Sequence, residues 1–159
     1  NESLSEKLYT KPSNPYGFAK DCLRKQLEFL KMKYNFKLTW ARLFYLYGDG
    51  QSDNSIYQQL KKSIQNSEKK FNMSKGEQLR DYLPVEKAAQ YIVDLGLLQK
   101  DIGVINVCSG EPISVRNLVE KWLNENSWDI ELNLGFYSYS DYEPINFWGD
   151  PCYLKSFFN

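Results

Sequence analysis

Apolar positions recur at three-to-four spacing between residues 15 and 34, where Phe18, Cys22, Leu23, Leu27, Leu30 and Met32 stand among lysines and arginines. That period predicts an amphipathic helix. Residues 36–44, rich in β-formers, predict one strand, stopped by Gly48-Asp49-Gly50. Ile56, Leu60 and Ile64 form a ladder that predicts a helix over 54–66 with an Asn at its cap. Short strands are expected at 70–73 and 79–83, and Pro84 then opens a helix through 98, because its missing N–H costs nothing in a first turn. The apolar run 104–108 reads as a buried strand, Ser114 caps a helix over 115–124, and 130–134 alternates as an edge strand does. A short helix follows Asp150. Helices alternating with short strands imply an α/β layered fold.

Composition narrows the chemistry. The 159 residues carry 20 Lys+Arg against 20 Asp+Glu, with 42% hydrophobic residues, as an ordinary globular chain does. No apolar run approaches the roughly 18 residues of a membrane span, so a soluble, cytoplasmic protein with no membrane partner is expected. Without a basic stretch there is no electrostatic footprint for nucleic acid, and the pairs Lys61-Lys62 and Lys69-Lys70 read as solvated helix faces. Cys22, Cys108 and Cys152 are far apart, odd in number and unaccompanied by histidine, which argues for reduced thiols and against a metal site. With no histidine at all, acid/base work falls to Tyr, Lys, Asp, Glu or Cys.

One such pair is Tyr16 with Lys20, at i and i+4 and therefore adjacent on a helix face. A phenol beside an ammonium suits proton exchange with a sugar hydroxyl or ketone. The pattern alone is weak: with 12 Tyr, about one match is expected by chance. Tyr57 with Lys61 is such a decoy.

The residues around the pair say more. Asn14-Pro15-Tyr16-Gly17-Phe18-Ala19-Lys20, then residues 41–48 (ARLFYLYG), residues 78–85 (QLRDYLPV), and Asn106-Val107-Cys108-Ser109-Gly110 with Ile113-Ser114-Val115 follow one another in order. In order and spacing this resembles the extended short-chain dehydrogenase/reductases that act on nucleotide sugars as epimerases, 4,6-dehydratases and 4-ketoreductases. The resemblance covers nearly the whole chain. It implies the C-terminal part of a Rossmann-like NAD(P)-binding fold plus a small α/β substrate-binding domain. Residues 1–48 would be the last Rossmann elements and 49–159 mainly the nucleotide-sugar domain, with 76–108 returning partly to the Rossmann sheet.

By the same resemblance, Tyr16 matches the catalytic tyrosine, and Lys20 the lysine that binds the nicotinamide ribose and assists it. Both would also touch the cofactor, NAD or NADP, as would the strand end at Leu43 and Phe44. Arg80 matches the diphosphate-binding arginine, whose planar fork meets phosphate oxygens bidentately; the plainer alternative is a surface pair with Asp81 or Glu77. Tyr82 would line the nucleotide pocket and Val115 its base, unless Val115 serves only packing. Tyr45 stands where many members have an Asn that contacts the sugar nucleotide. Members usually dimerise through the tyrosine-bearing helix, so a homodimer is expected.

Two departures qualify this. No Gly-x-Gly-x-x-Gly occurs in the chain, and Tyr16 lies too near the first residue for the upstream Ser or Thr of the family. The sequence therefore reads as the C-terminal portion of an enzyme. The isolated piece is expected to be inactive; the alternative function is a nucleotide-sugar-binding or dimerisation fragment. Near the end, residues 137–144 lack the arginine of many members, although Asp141 could hold a ribose hydroxyl.

Overall fold

Asn14 starts the first helix: its side-chain oxygen accepts the Gly17 N–H at 2.8 Å, and Pro15 takes the first helical position, where no donor is needed. Helix α1 (Pro15–Lys33) has no fully buried residue. In this computed structural model, which describes residues 3–139 and 144–158, β1 (Thr39–Leu43) runs parallel to β5 (Gly103–Val107), from Thr39 opposite Gly103 to Leu43 opposite Val107. The single strand expected over 36–44 is thus shorter. It ends at Leu43; the N–H of the next residue, Phe44, donates to the Val107 carbonyl at 3.2 Å, and the chain passes into β2 (Tyr45–Tyr47) of another sheet.

The centre of that sheet is β4 (Leu79–Pro84), paired in parallel with β2, antiparallel with β6 (Pro112–Ser114) and in parallel with β8 (Asn146–Phe147). A third sheet pairs β3 (Lys70–Met73) with β7 (Glu131–Leu134). Helix α2 (Ile56–Gln65) is capped by Ser55, whose hydroxyl accepts from the Gln58 N–H, so the cap is one residue later than Asn54. Pro84 closes β4 and α3 (Val85–Leu97) begins after it. Helix α4 (Val115–Asn126) is capped by Ser114 as expected and runs on to a left-handed Ser127. The last helix is α5 (Cys152–Lys155). The Lys69-Lys70 expectation needs correction, since Lys70 lies in β3 and pairs with Glu131 at 2.8 Å, whereas Lys61 and Lys62 do lie on α2, where they reach Asp49 and Asp53. Among the described residues no helix is long and apolar enough to cross a membrane.

Alternation along β4 divides the molecule. Tyr82 joins a cluster built from α2, β3 and α4, with Leu60, Val119 and the 1% exposed Trp122 at its centre. Leu83, one residue on, joins a second cluster with Ala88, Ile105, Val107 and Leu154. Successive side chains of a strand face opposite ways, so one strand walls both cores. Truncation of a buried Trp costs about 3–5 kcal/mol, which sets the scale on which α4 is held to this wall.

Asp81, fully buried, fastens the second side. Its carboxylate accepts from Ser109 N–H at 2.8 Å, Ser109 hydroxyl at 2.7 Å, Gly110 N–H at 2.9 Å and Gly149 N–H at 3.1 Å. Gly110 has φ +79° and an added Cβ would lie 2.4 Å from Pro151, so the position requires glycine. The first described residues complete the layer: Leu4 bridges to Gly149, and its carbonyl accepts from the Asn106 amide at 2.8 Å.

Candidate functional site

The side of β4 that carries Arg80 and Tyr82 faces a cavity of ≈ 460 Å³. Tyr45 and Tyr47 on β2 share that face by the same parity, since Tyr45 is the register partner of Tyr82. Their rings, with Tyr57 from α2 and Trp122 from α4, form a continuous aromatic wall: Tyr45 to Tyr82 at 5.4 Å, Tyr47 to Trp122 at 5.2 Å, Tyr57 to Trp122 at 5.0 Å. Burial raises the Tyr47 phenol above its ordinary range, so it stays protonated at neutral pH.

Arg80 is 2% exposed. Its Nη1 donates to the carbonyls of Leu79 at 2.9 Å and Ile145 at 3.1 Å, and its guanidinium lies over the Tyr45 ring, 5.5 Å from the centre. Asp81 is turned to the opposite face, and Glu77 accepts from the Tyr139 hydroxyl at 3.2 Å. Among the described residues that line the cavity, Arg80 bears the only formal charge. Buried polar atoms of the lining residues, Gln51 Oε1, Gln78 Oε1 and Trp122 Nε1, have no hydrogen-bond partner among the described residues. Buried polar atoms are rarely left so, at a cost of about 1–3 kcal/mol each.

Of the residues singled out in the sequence, Phe44, Tyr45, Arg80, Tyr82 and Val115 line this one cavity. Val115 also packs in the first core cluster. Tyr16 and Lys20 lie elsewhere, on α1, side by side: Lys20 Nζ is 5.6 Å from the centre of the Tyr16 ring, and Tyr16 is 75% exposed. Lys20 also borders a shallow depression with Thr10, Asp21, Arg24, Trp40 and Arg42. Leu43 ends β1 and is exposed. Asp141 lies outside the described residues. The decoy pair separates: Tyr57 is in the aromatic wall and Lys61 pairs with Asp49 at 2.6 Å.

Sequence reasoning passed over Gln51, Gln78, Tyr47, Tyr57 and Trp122 as cavity residues. A signal was available for two of them: Tyr47 and Gln78 stand an even number of residues from Tyr45 and Arg80, hence on the same strand faces. Tyr57 and Trp122 come from helices far apart in sequence, which no local pattern connects.

A family model described as the NAD dependent epimerase/dehydratase family matches residues 1–108. Among curated proteins, dTDP-6-deoxy-L-talose 4-dehydrogenase (NAD(+)) of Aggregatibacter actinomycetemcomitans is 30% identical over 139 residues, 87% of this chain and 51% of that protein. UDP-N-acetylglucosamine 4-epimerase from Methanobrevibacter ruminantium M1, solved with UDP-N-acetylmuramic acid, is 24% identical with a TM-score of 0.83, over 94% of this chain and 49% of that one. UDP-glucuronic acid 4-epimerase from Bacillus cereus, solved with UDP-glucuronic acid and NAD, is 21% identical with a TM-score of 0.82, over 98% and 50%. The chain spans about half the length of the relatives it matches, and with the solved structures it shares the α/β fold.

Proposed function

The chain belongs to the NAD-dependent epimerase/dehydratase family, and from that membership we propose that the complete protein acts on a nucleotide sugar, moving hydride at the sugar with Tyr16 as acid and base. The observation that carries this reading is the union, in one cavity, of a single buried guanidinium with a wall of aromatic rings. A nucleoside diphosphate sugar requires that combination: a planar cation for the diphosphate and flat apolar faces for the base. Arg80 takes the diphosphate, Tyr82 and Val115 flank the nucleoside, and the unpartnered Gln51, Gln78 and Trp122 atoms favour a polar ligand. Asp141 is assigned to a ribose hydroxyl by resemblance alone.

For the cofactor, NAD or NADP, the residues present fit the nicotinamide end. The Tyr16 hydroxyl and the Lys20 ammonium stand exposed on adjacent turns of α1, a donor set suited to ribose hydroxyls, and Leu43 and Phe44 close β1 with the backbone tied to β5. A bound nicotinamide supplies or accepts the hydride. Tyr16 gives or takes the proton at the sugar oxygen, Lys20 keeps positive charge beside that phenol, and Arg80 fixes the substrate by its diphosphate so that the sugar is presented in one orientation. The complete protein pairs with a second copy through α1, where Phe18, Phe29 and Met32 are exposed.

The test is turnover of dTDP- and UDP-sugars by the complete protein with NAD or NADP. Tyr16→Phe is expected to lower kcat by about 10²–10⁴-fold with little change in substrate affinity. An unchanged kcat removes Tyr16 from the mechanism.

A further inference from the structure

Tyr45 and Tyr82 are register partners on parallel neighbours, and Arg80 precedes Tyr82 by two residues, so strand alternation sets all three side chains on one face. The Tyr45 ring is braced on two sides, by Tyr82 at 5.4 Å and edge-on by Phe147 at 6.0 Å. Phe147 itself lies 5.2 Å from Phe44. A ring held in this way cannot turn without disturbing both neighbours. The Arg80 guanidinium sits over it, 5.5 Å from its centre, and the Leu79 and Ile145 carbonyls accept from Nη1 at 2.9 and 3.1 Å.

These contacts act on different parts of the cation. The carbonyls fix one nitrogen. The ring attracts the cation through its negative face, more strongly out of water than in it. A guanidinium tied at one nitrogen and drawn toward a fixed ring is restricted in orientation, and bidentate binding of phosphate oxygens depends on orientation.

We propose that Tyr45 is a positioning residue for anion binding: its ring face, not its hydroxyl, orients Arg80 so that the guanidinium meets the diphosphate of a nucleotide ligand. The proposal rests on the reading of this cavity as a nucleotide-sugar site. It has a chemical signature, because the contribution of Tyr45 follows the phosphates of the ligand and the electron density of the ring.

Calorimetric titration of the complete protein with uridine and thymidine diphosphates, and with the corresponding nucleosides, tests it. Tyr45→Leu is expected to weaken diphosphate binding about 10-fold more than it weakens nucleoside binding, while Tyr45→Phe binds as wild type does. In an Arg80→Gln background, Tyr45→Leu should cost nothing further. Ring-fluorinated phenylalanines at position 45 keep the shape and drain the ring face, and diphosphate affinity should fall with each added fluorine. Equal losses for nucleoside and diphosphate, the same loss without Arg80, or no response to fluorination overturns the proposal. Failure of the wild-type protein to bind either diphosphate overturns the nucleotide reading of the cavity, and this proposal with it.

Discussion

Cys108 is 3% exposed, and burial, assisted by the Asp81 carboxylate, pushes its thiol up to about 12. The thiolate is the reactive form, so Cys108 is protected twice, by access and by protonation. Cys152 is exposed, though Asp150 beside it also raises its thiol. Mass spectrometry after alkylation with iodoacetamide near neutral pH should find Cys152 modified and Cys108 intact in the native protein, with all three thiols modified in denaturant. Modification of native Cys108 at the rate of Cys152 would contradict the burial on which the packing around Gly149 depends, where an added Cβ would meet the Cys108 sulfur at 2.5 Å. The same scale explains why the two strongest site candidates differ in visibility. The adjacency of Tyr16 and Lys20 follows from helical spacing, and their rank as candidates from the motifs around them, whereas the placing of Arg80 over Tyr45 joins two strands that sequence does not place side by side.

At the scale of elements, α1 buries no residue fully and carries a network of ion pairs along its own turns. Asp21 accepts from Lys25 at 2.8 Å, Arg24 at 2.9 Å and the Thr10 hydroxyl at 2.9 Å. Lys25 first, then Arg24, keeps its carboxyl far below the usual range. A carboxyl lowered in the native state stabilises fully above its unfolded value of about 3.9, and loses that contribution as pH falls toward the native value. Chemical denaturation of wild type and Asp21→Asn should therefore differ near neutral pH and converge in acid. A constant difference would show that the carboxylate is not what holds the helix. The element pattern was legible wherever one period ran its length, as in α1, α4 and β5. It failed where periodicity does not change but the partner does: residues 36–44 read as one strand with no stop before Gly48, yet the chain leaves that sheet at Phe44 and enters another at Tyr45. Strands β6 and β8, three and two residues long, are set by pairing with β4 rather than by their own sequence.

For the whole molecule the decisive part is β4, the wall common to two cores, with Asp81 clasping the loop after β5 and the segment at Gly149. Hydrogen bonds to a buried charge contribute about 1.5–3 kcal/mol apiece, and they are not additive. Asp81→Ala is expected to destabilise by about 3 kcal/mol and to lower both clusters together. Hydrogen exchange in the complete protein should show parallel loss of protection at Leu60 and Val119 on one side and Ile105 and Val107 on the other. Loss confined to one side would mean that the strand does not couple them.

That common wall also makes segment length an inherited quantity. A substitution in residues 79–84 can be absorbed on the side it touches. A gained or lost residue ahead of Arg80 inverts every later position of the strand, sending a cation into the apolar compartment and a carboxylate into the ligand cavity. Insertions and deletions among descendants of this sequence should thus accumulate in the loops around the strand and spare its interior, whatever happens to its composition.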